Sequence, residues 1–570
     1  MALGIKRSWL LDLPGDIWGK IFGLFPVRDL IRLSLTCTKI RSAVHGKANI
    51  EVSGNSCSVF RRYKMFRGIR FNVESPDDVC GLVREMEENP QIVRLIASLS
   101  IKIGGTEVSK ILRKLDSGSL VHLRVGNVLS GDEKSICRLT RLEKLYIRDA
   151  ETFRDGDLVR LVKLTDLTLT GDAPMITSHG LSQLKNLTRL SVLALTSLTF
   201  LSSTKIKHLS LWNRHIGSND WMYMTRVTRL RVAGQIYSVK ISGGIGQLNR
   251  LRDLAFYGVD EVDIREIREL KLISLQLFSV RFSQENISEG SANIWDFTEW
   301  NLETIGLRKF ILSTWDFIKD KLLLPLTLRK LEISYGYLAD LMISNNLSNL
   351  TSLVLGCSHD HKKIKHRYIG ALINLRELCL NSTAKIYNAD VVGLTNLTHL
   401  VMNDTITDHG IAGLTEMRRL VLNSLVTDRG ISRMRKLRFM DLNYNVNVTD
   451  RGLVRLTKLT EINLRMNKNI SNVSLKKLMN LEKVEVEFSA VRFNFRWLEG
   501  NGVHVVWNYA EREQFLRLFP DMCKGKVIKK IDRFSVEFER FDDYNGVHWD
   551  DLVMLMIFSI GVMSVCNFFI

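Results

Sequence analysis

No catalytic signature stands in the 570 residues: there is no GxSxG elbow, no HExxH helix, no phosphate-cradling GxxxxGKS/T loop and no GxGxxG after a strand. The patterns that mark the commonest hydrolases, zinc peptidases and nucleotide enzymes are therefore missing, and no catalytic residue, metal or cofactor is expected. Disulfide chemistry is equally poorly represented. The eight cysteines, Cys37, Cys57, Cys80, Cys137, Cys357, Cys379, Cys523 and Cys566, stand far apart with no CxxC pair, as reduced thiols in a cytosolic setting do. The start, "MALGIKRSWLLDLP", lacks an apolar stretch of the length a secretory signal needs. The "NLT" phrases at Asn186 and Asn396 are accordingly read as accidents of a repeated phrase, not as glycan sites. Dense basic runs are absent too, "KGKVIKK" at Lys524 to Lys530 being the nearest.

What is present is the composition of folded protein, 45% apolar and 25% charged, with no long disordered tract. A chain of this length rarely builds one core, so several parts or an array are expected. The formal charge of +19 has two readings: attraction for acidic partners, or a solvated surface that repels other copies.

An array is visible. From Leu394 the frame restarts at Leu414, Met434, Leu456 and Leu478, in steps of 20, 20, 22 and 22 residues. Within each unit apolar residues fall at offsets 0, 3, 6 and 8, and the same frame runs back through Leu372, Leu347, Leu248, Met224, Leu184, Leu161 and Leu139 toward "VRLIASLSI" at Val93. Offsets 6 and 8 alternate with polar neighbours and point inward from a short strand, while offsets 0 and 3 bring the preceding turn onto the same core. One unit cannot bury that face, so neighbours must stack. "TDHG" at Thr407 and "TDRG" at Thr427 and Thr449 are read as turns in which Asp bonds its own backbone and Gly takes positive φ.

This frame resembles the leucine-rich repeat, and the phrases most resemble the repeats that accompany F-boxes. The departure is that the cysteines of that subtype are mostly missing, with Asn423 and Asn443 just after the strand. The resemblance implies an α/β solenoid, a horseshoe of about eighteen repeats over 93–488 with an irregular insertion near 285–300. Residues 51–92 are expected as linker and N-terminal cap, and 489–551 as a C-terminal cap.

Ahead of the array, "LPGDIWGKIFGLFP" places Ile17 and Ile21, and Trp18 and Phe22, four apart, so two apolar stripes leave almost no polar face. Pro14 suits a first helical turn and Asp16 the positive helix end. Pro26 interrupts the helix, and "RDLIRLSL" and "CTKIRSAV" read as two more short helices. Three such helices make too small a core to stand alone, which points to docking on a partner. The order Leu13, Pro14, Asp16, Ile21, Phe22, Pro26, Arg28, Asp29, Leu30 and Cys37 resembles the F-box, here over 1–50. Gly15 and Gly19 depart from it, each costing up to about 1 kcal/mol of helix stability, as does Ile40 where the family usually has tryptophan. The resemblance implies that Leu13, Pro14, Ile17, Ile21, Phe22, Pro26, Leu30, Leu33, Cys37 and Ile40 bind a Skp-type adaptor, through it a cullin, and that the repeats capture a protein substrate.

The outward strand positions, offsets 5, 7 and 9, change sign along the chain. Early repeats carry Lys102, Arg124, Lys144, Tyr146, Arg148, Trp212, Arg229 and Arg231; late ones carry Asn403, Asn423, Asp441, Asn443, Glu461, Glu485 and Glu487. Arg and aromatic residues dominate interface energetics, so the early set is the candidate surface for an acidic or phosphorylated substrate, against the plainer reading of a solvated strand face. Nucleic acid is disfavoured, since no stacking module is visible. Cys357, His359, His361 and His366 in "CSHDHKKIKH" have soft ligands for zinc, yet a polar loop insertion explains them more simply. The uncharged stretch Leu552 to Ile570 nearly spans a hydrocarbon core; it is read as a tail anchor, the alternative being a buried helix that closes the solenoid. Two functions follow: the substrate receptor of a cullin-based ubiquitin ligase, or a non-ligase scaffold, free or membrane-tethered, that binds an acidic protein or nucleic acid.

Overall fold

The computed structural model describes residues between 51 and 507, with its longest gaps at 54–68, 281–296, 309–323, 335–346, 356–368 and 487–497 and shorter breaks elsewhere. Residues 1–50 and 508–570 lie outside the described residues, and with them the ten expected adaptor-binding positions and the 552–570 tail. The Cys357, His359, His361 and His366 cluster lies outside them too.

The chain divides into two compact units, 1–214 with 219–229, and 215–218 with 230–570. In the first, eight strands pair in parallel and in chain order: Glu51–Ser53, Ile69–Val73, Ile96–Ile101, His122–Asn127, Lys144–Asp149, Asp166–Leu169, Arg189–Leu193 and His208–Trp212. In the second, twelve strands from Asp253–Tyr257 to His504–Trp507 do the same. Counting Arg229–Ala233, the described residues hold 21 such strands, of which three, 51–53, 69–73 and 504–507, lie outside 93–488 and leave eighteen within it. The parallel ladder is therefore wider than the span in which the leucine frame is legible.

The frame explains the ladder. Leu139, Leu142, Leu145 and Ile147, at offsets 0, 3, 6 and 8, are all buried, as are Leu456, Leu459, Ile462 and Leu464. Each such side chain gains about 1.5–3 kcal/mol from burial. The gain exists only between stacked units, because both strand and turn contribute one half of each contact. The expected insertion at 285–300 does not reach its last residues: Phe297 and Trp300 are buried, ring against ring at 5.1 Å, in place of the turn leucines.

Backbone polarity is satisfied by a second repeated device. In "NLT", the Asn at offset 2 and the Thr at offset 4 both donate to carbonyls of the preceding unit. Asn186 Nδ2 reaches Val162 O at 3.0 Å and Thr188 Oγ1 reaches Thr165 O at 3.1 Å; Asn396 and Thr398 do the same to Ile373 O and Arg376 O. The phrase at Asn349 and Thr351 does the same to Leu326 O and Arg329 O, while Arg141 and Arg226 reach carbonyls of the preceding unit from offset 2 in other repeats.

The "TDRG" phrases correct the turn reading. Thr427 and Thr449 cap the short helices Asp428–Ile431 and Asp450–Leu453, accepting from Arg429 N and Arg451 N. Asp does not bond its own backbone. Asp408 accepts from Thr427 N at 2.8 Å and Thr427 Oγ1 at 2.5 Å, Asp428 likewise from Thr449, and Asp450 from Ser471, each one repeat ahead. The glycines are helical, and positive φ among described glycines occurs at Gly131, Gly244 and Gly258 instead. Gly430 is required by space: a Cβ there would stand 2.5 Å from Asp408 Oδ1. A buried asparagine ladder continues the theme, Asn445 donating to Val426 O at 3.0 Å and accepting from Asn447 N and Val448 N, with Asn467 in the same role one repeat on.

Gly430→Ala should lower stability by about 1–3 kcal/mol, since the methyl displaces the Asp408 carboxylate from Thr427. Gly413→Ala, with nothing within 4 Å of its Cβ, should be neutral or slightly stabilising. Thermal melts of the two variants check this; equal melting points would refute the ladder's role.

Candidate functional site

The outward positions of the first unit form two rows fixed by strand register. One runs His122, Lys144, Asp166, Arg189 and His208; the other runs Arg124, Tyr146, Thr168, Ser191 and Ser210. Register thus places Arg124 beside Tyr146, with the guanidinium 4.4 Å from the ring centroid, a cation–π contact that holds the cation over the strand face. Tyr146 Oη lies 3.4 Å from Thr170 Oγ1. Lys144 and Arg148, on the same strand as Tyr146, are exposed. Four of the eight expected substrate residues therefore gather on two adjacent strands.

Trp212 and Arg229, the other expected residues described in the first unit, do not join them in one stripe. Along the first row Asp166 follows Lys144 and pairs with Arg189 at 3.5 Å; along the second, Thr168, Ser191 and Ser210 are uncharged. Trp212 donates from Nε1 to Ser191 Oγ at 3.3 Å, away from Arg148. Arg229 is exposed next to His208, its N–H bonding Lys207 O in the first unit. Arg231 belongs to the second unit, where it lies 5.8 Å from the Tyr257 ring centroid. Lys102 lies outside the described residues. Register, which no offset count supplies, breaks the stripe.

The late acidic positions are also corrected. Asp441 and Glu485 stand at outward offsets, yet they are 3% and 4% exposed. Asp441 Oδ1 accepts from Asn443 N, and Glu485 pairs with Lys483 at 3.6 Å. These carboxylates serve the fold. Asn403, Asn423 and Glu487 lie outside the described residues.

Comparison with known proteins adds the amino-terminal part. Residues 10–49 match the F-box domain model. The F-box match thus stands ahead of the leucine-framed parallel ladder. Among solved structures, similar chains include a leucine-rich-repeat protein of Leptospira interrogans (16% identity, 77% of this chain and 96% of that one, TM-score 0.32). Others are the Rad7 and Elc1 complex of yeast (15%, 62% and 84%, TM-score 0.35) and an internalin of Listeria monocytogenes (19%, 61% and 82%, TM-score 0.25). No curated protein matches the chain significantly.

No group of three or more His, Cys, Asp or Glu able to hold a metal occurs among the described residues, and none of their helices is long and apolar enough to cross a membrane. Cys137 is buried, and burial, with Asp157 beside it, pushes its thiol up to about 12. It is therefore protonated and inert at neutral pH. Sequence spacing did not single it out. Iodoacetamide at pH 8 should alkylate exposed Cys80 in the native protein and leave Cys137 unmodified until denaturant is added; peptide mapping reads the order, and early labelling of Cys137 would contradict its burial.

Proposed function

We propose that the chain is the substrate-recognition subunit of a cullin-based ubiquitin ligase working in the cytosol. Its F-box docks a Skp-type adaptor through Leu13, Pro14 and the apolar residues that follow, the adaptor connects it to a cullin, and the solenoid holds the substrate. The observation that carries this reading is the order of parts, an F-box match over 10–49 followed by a parallel repeat ladder. A unit of about fifty residues has too little core to be self-sufficient, so an apolar partner surface is what makes it useful. The chain then contributes binding surfaces, and the ubiquitin chemistry belongs to other subunits.

For the substrate, the best-formed surface among the expected residues is the group Arg124, Lys144, Tyr146 and Arg148. Planar guanidinium forks match carboxylate or phosphate with two charge-assisted bonds, and Tyr146 supplies a flat apolar wall. An acidic or phosphorylated protein segment fits that chemistry.

Replacing Leu13 and Pro14 together by alanine should remove adaptor copurification and leave the melting curve of the repeats unchanged. Undiminished copurification would overturn the ligase reading and leave the scaffold. Separately, Arg124→Glu with Arg148→Glu should abolish substrate capture, read by proximity labelling, while adaptor binding persists. If the labelled set is the same as for wild type, the substrate sits elsewhere.

A further inference from the structure

A groove of about 730 Å³ runs across the entrances to the strands of the second unit, between Arg329 and Arg418. Its floor is one backbone row: Thr351 N bonds Arg329 O, Arg376 N bonds Thr351 O, Thr398 N bonds Arg376 O and Arg418 N bonds Thr398 O, all at 2.7–2.8 Å. Arginine therefore occupies every second rung. With strands about 4.8 Å apart, successive arginines stand about 10 Å apart. All three are exposed. Among the described residues Arg376 and Arg418 have no side-chain partner, and Arg329 only a 4.0 Å contact with Glu303, both more than half exposed, which is a weak pair.

Beside the arginines stands a row of acceptors. Asn349, Asn374 and Asn396, all exposed, each spend their Nδ2 on a carbonyl of the preceding unit, and among the described residues no donor reaches their Oδ1 atoms. Glu377, on the same wall, has a buried Oε2 that no donor reaches. The groove thus offers cations at a fixed spacing together with a line of oxygens that want N–H donors.

We propose that this groove binds an acidic protein segment in the polyproline II conformation, with a carboxylate at every third residue. Such a helix advances about 3.1 Å per residue and repeats its face every three, so like side chains recur about every 9.3 Å, in step with the arginines. A β-strand does not fit, because its same-face side chains recur at about 7 or 13 Å. Main-chain N–H groups of the segment meet the asparagine oxygens. Nucleic acid fits less well, because its sugar-phosphate backbone carries no N–H to meet the asparagine oxygens. The proposal does not depend on the ligase reading, since it concerns direct binding by the repeats.

The test is fluorescence anisotropy of the full-length chain with a labelled nonapeptide of three Glu-Pro-Ala units. Controls are a peptide of the same composition with its three glutamates adjacent, the glutamine version, and a single-stranded oligonucleotide of similar length. The spaced peptide should bind best, and Arg376→Gln with Arg418→Gln should weaken it at least tenfold at unchanged melting temperature, while Arg124→Gln has no effect. Equal affinity for the two glutamate arrangements, tighter binding of the oligonucleotide, or indifference to the double variant would each overturn the proposal. Loss of adaptor copurification in the Leu13 and Pro14 variant leaves peptide binding untouched, so the two readings fail separately.

Discussion

A repeat of about twenty-two residues exposes four apolar side chains on one edge and has nothing of its own to cover them. Leu139, Leu142, Leu145 and Ile147 are buried only because the next unit lays the same four positions against them. Every other feature is subordinate to that constraint. Parallel pairing follows from it, since successive strands enter from the same side, and the residue-by-residue register of the ladder follows from keeping offsets 6 and 8 of all units in one layer.

Stacking apolar edges would still fail if it stranded the backbone groups of the connecting turns, because a buried unpaired polar group costs about 1–3 kcal/mol. The chain solves this with side chains that bond one repeat away. Asn and Thr of the "NLT" phrase bond preceding carbonyls, Asp408, Asp428 and Asp450 bond the cap of the next helix, and Asn445 and Asn467 fill the buried corner after the strand. Because each bond reaches across a repeat boundary, polar satisfaction and apolar burial are won or lost together.

What remains outward is free to bind, and register decides what it presents. Arg124 and Tyr146 meet because their strands pair in register, whereas Asp166 and Arg189 neutralise one another a strand further on. A surface that counts as basic by composition becomes two local groups in the first unit and, in the second, a row of arginines on alternate rungs. The F-box match at 10–49 stands ahead of the ladder.

The repeat period, the inward residues and the F-box phrase were legible in the sequence because each is local: offsets 0, 3, 6 and 8 carry their own burial, and the order from Leu13 to Cys37 is contiguous. The ends of the ladder were not, since Ile69–Val73 and His504–Trp507 pair as strands outside the regular leucine frame. Nor were the roles of Asp408 and Gly430, whose partners lie about twenty residues away, so a reading confined to the turn took a cap and a packing requirement for local bends. The groove between Arg329 and Arg418 was the least legible of all. Its arginines are separated by unequal repeat lengths and become evenly spaced only when hydrogen bonding puts their carbonyls on one row. Sequence alone determined that this chain stacks and what it stacks with; tertiary structure decided which charges meet, because lateral register depends on the pairing of strands that are distant along the chain.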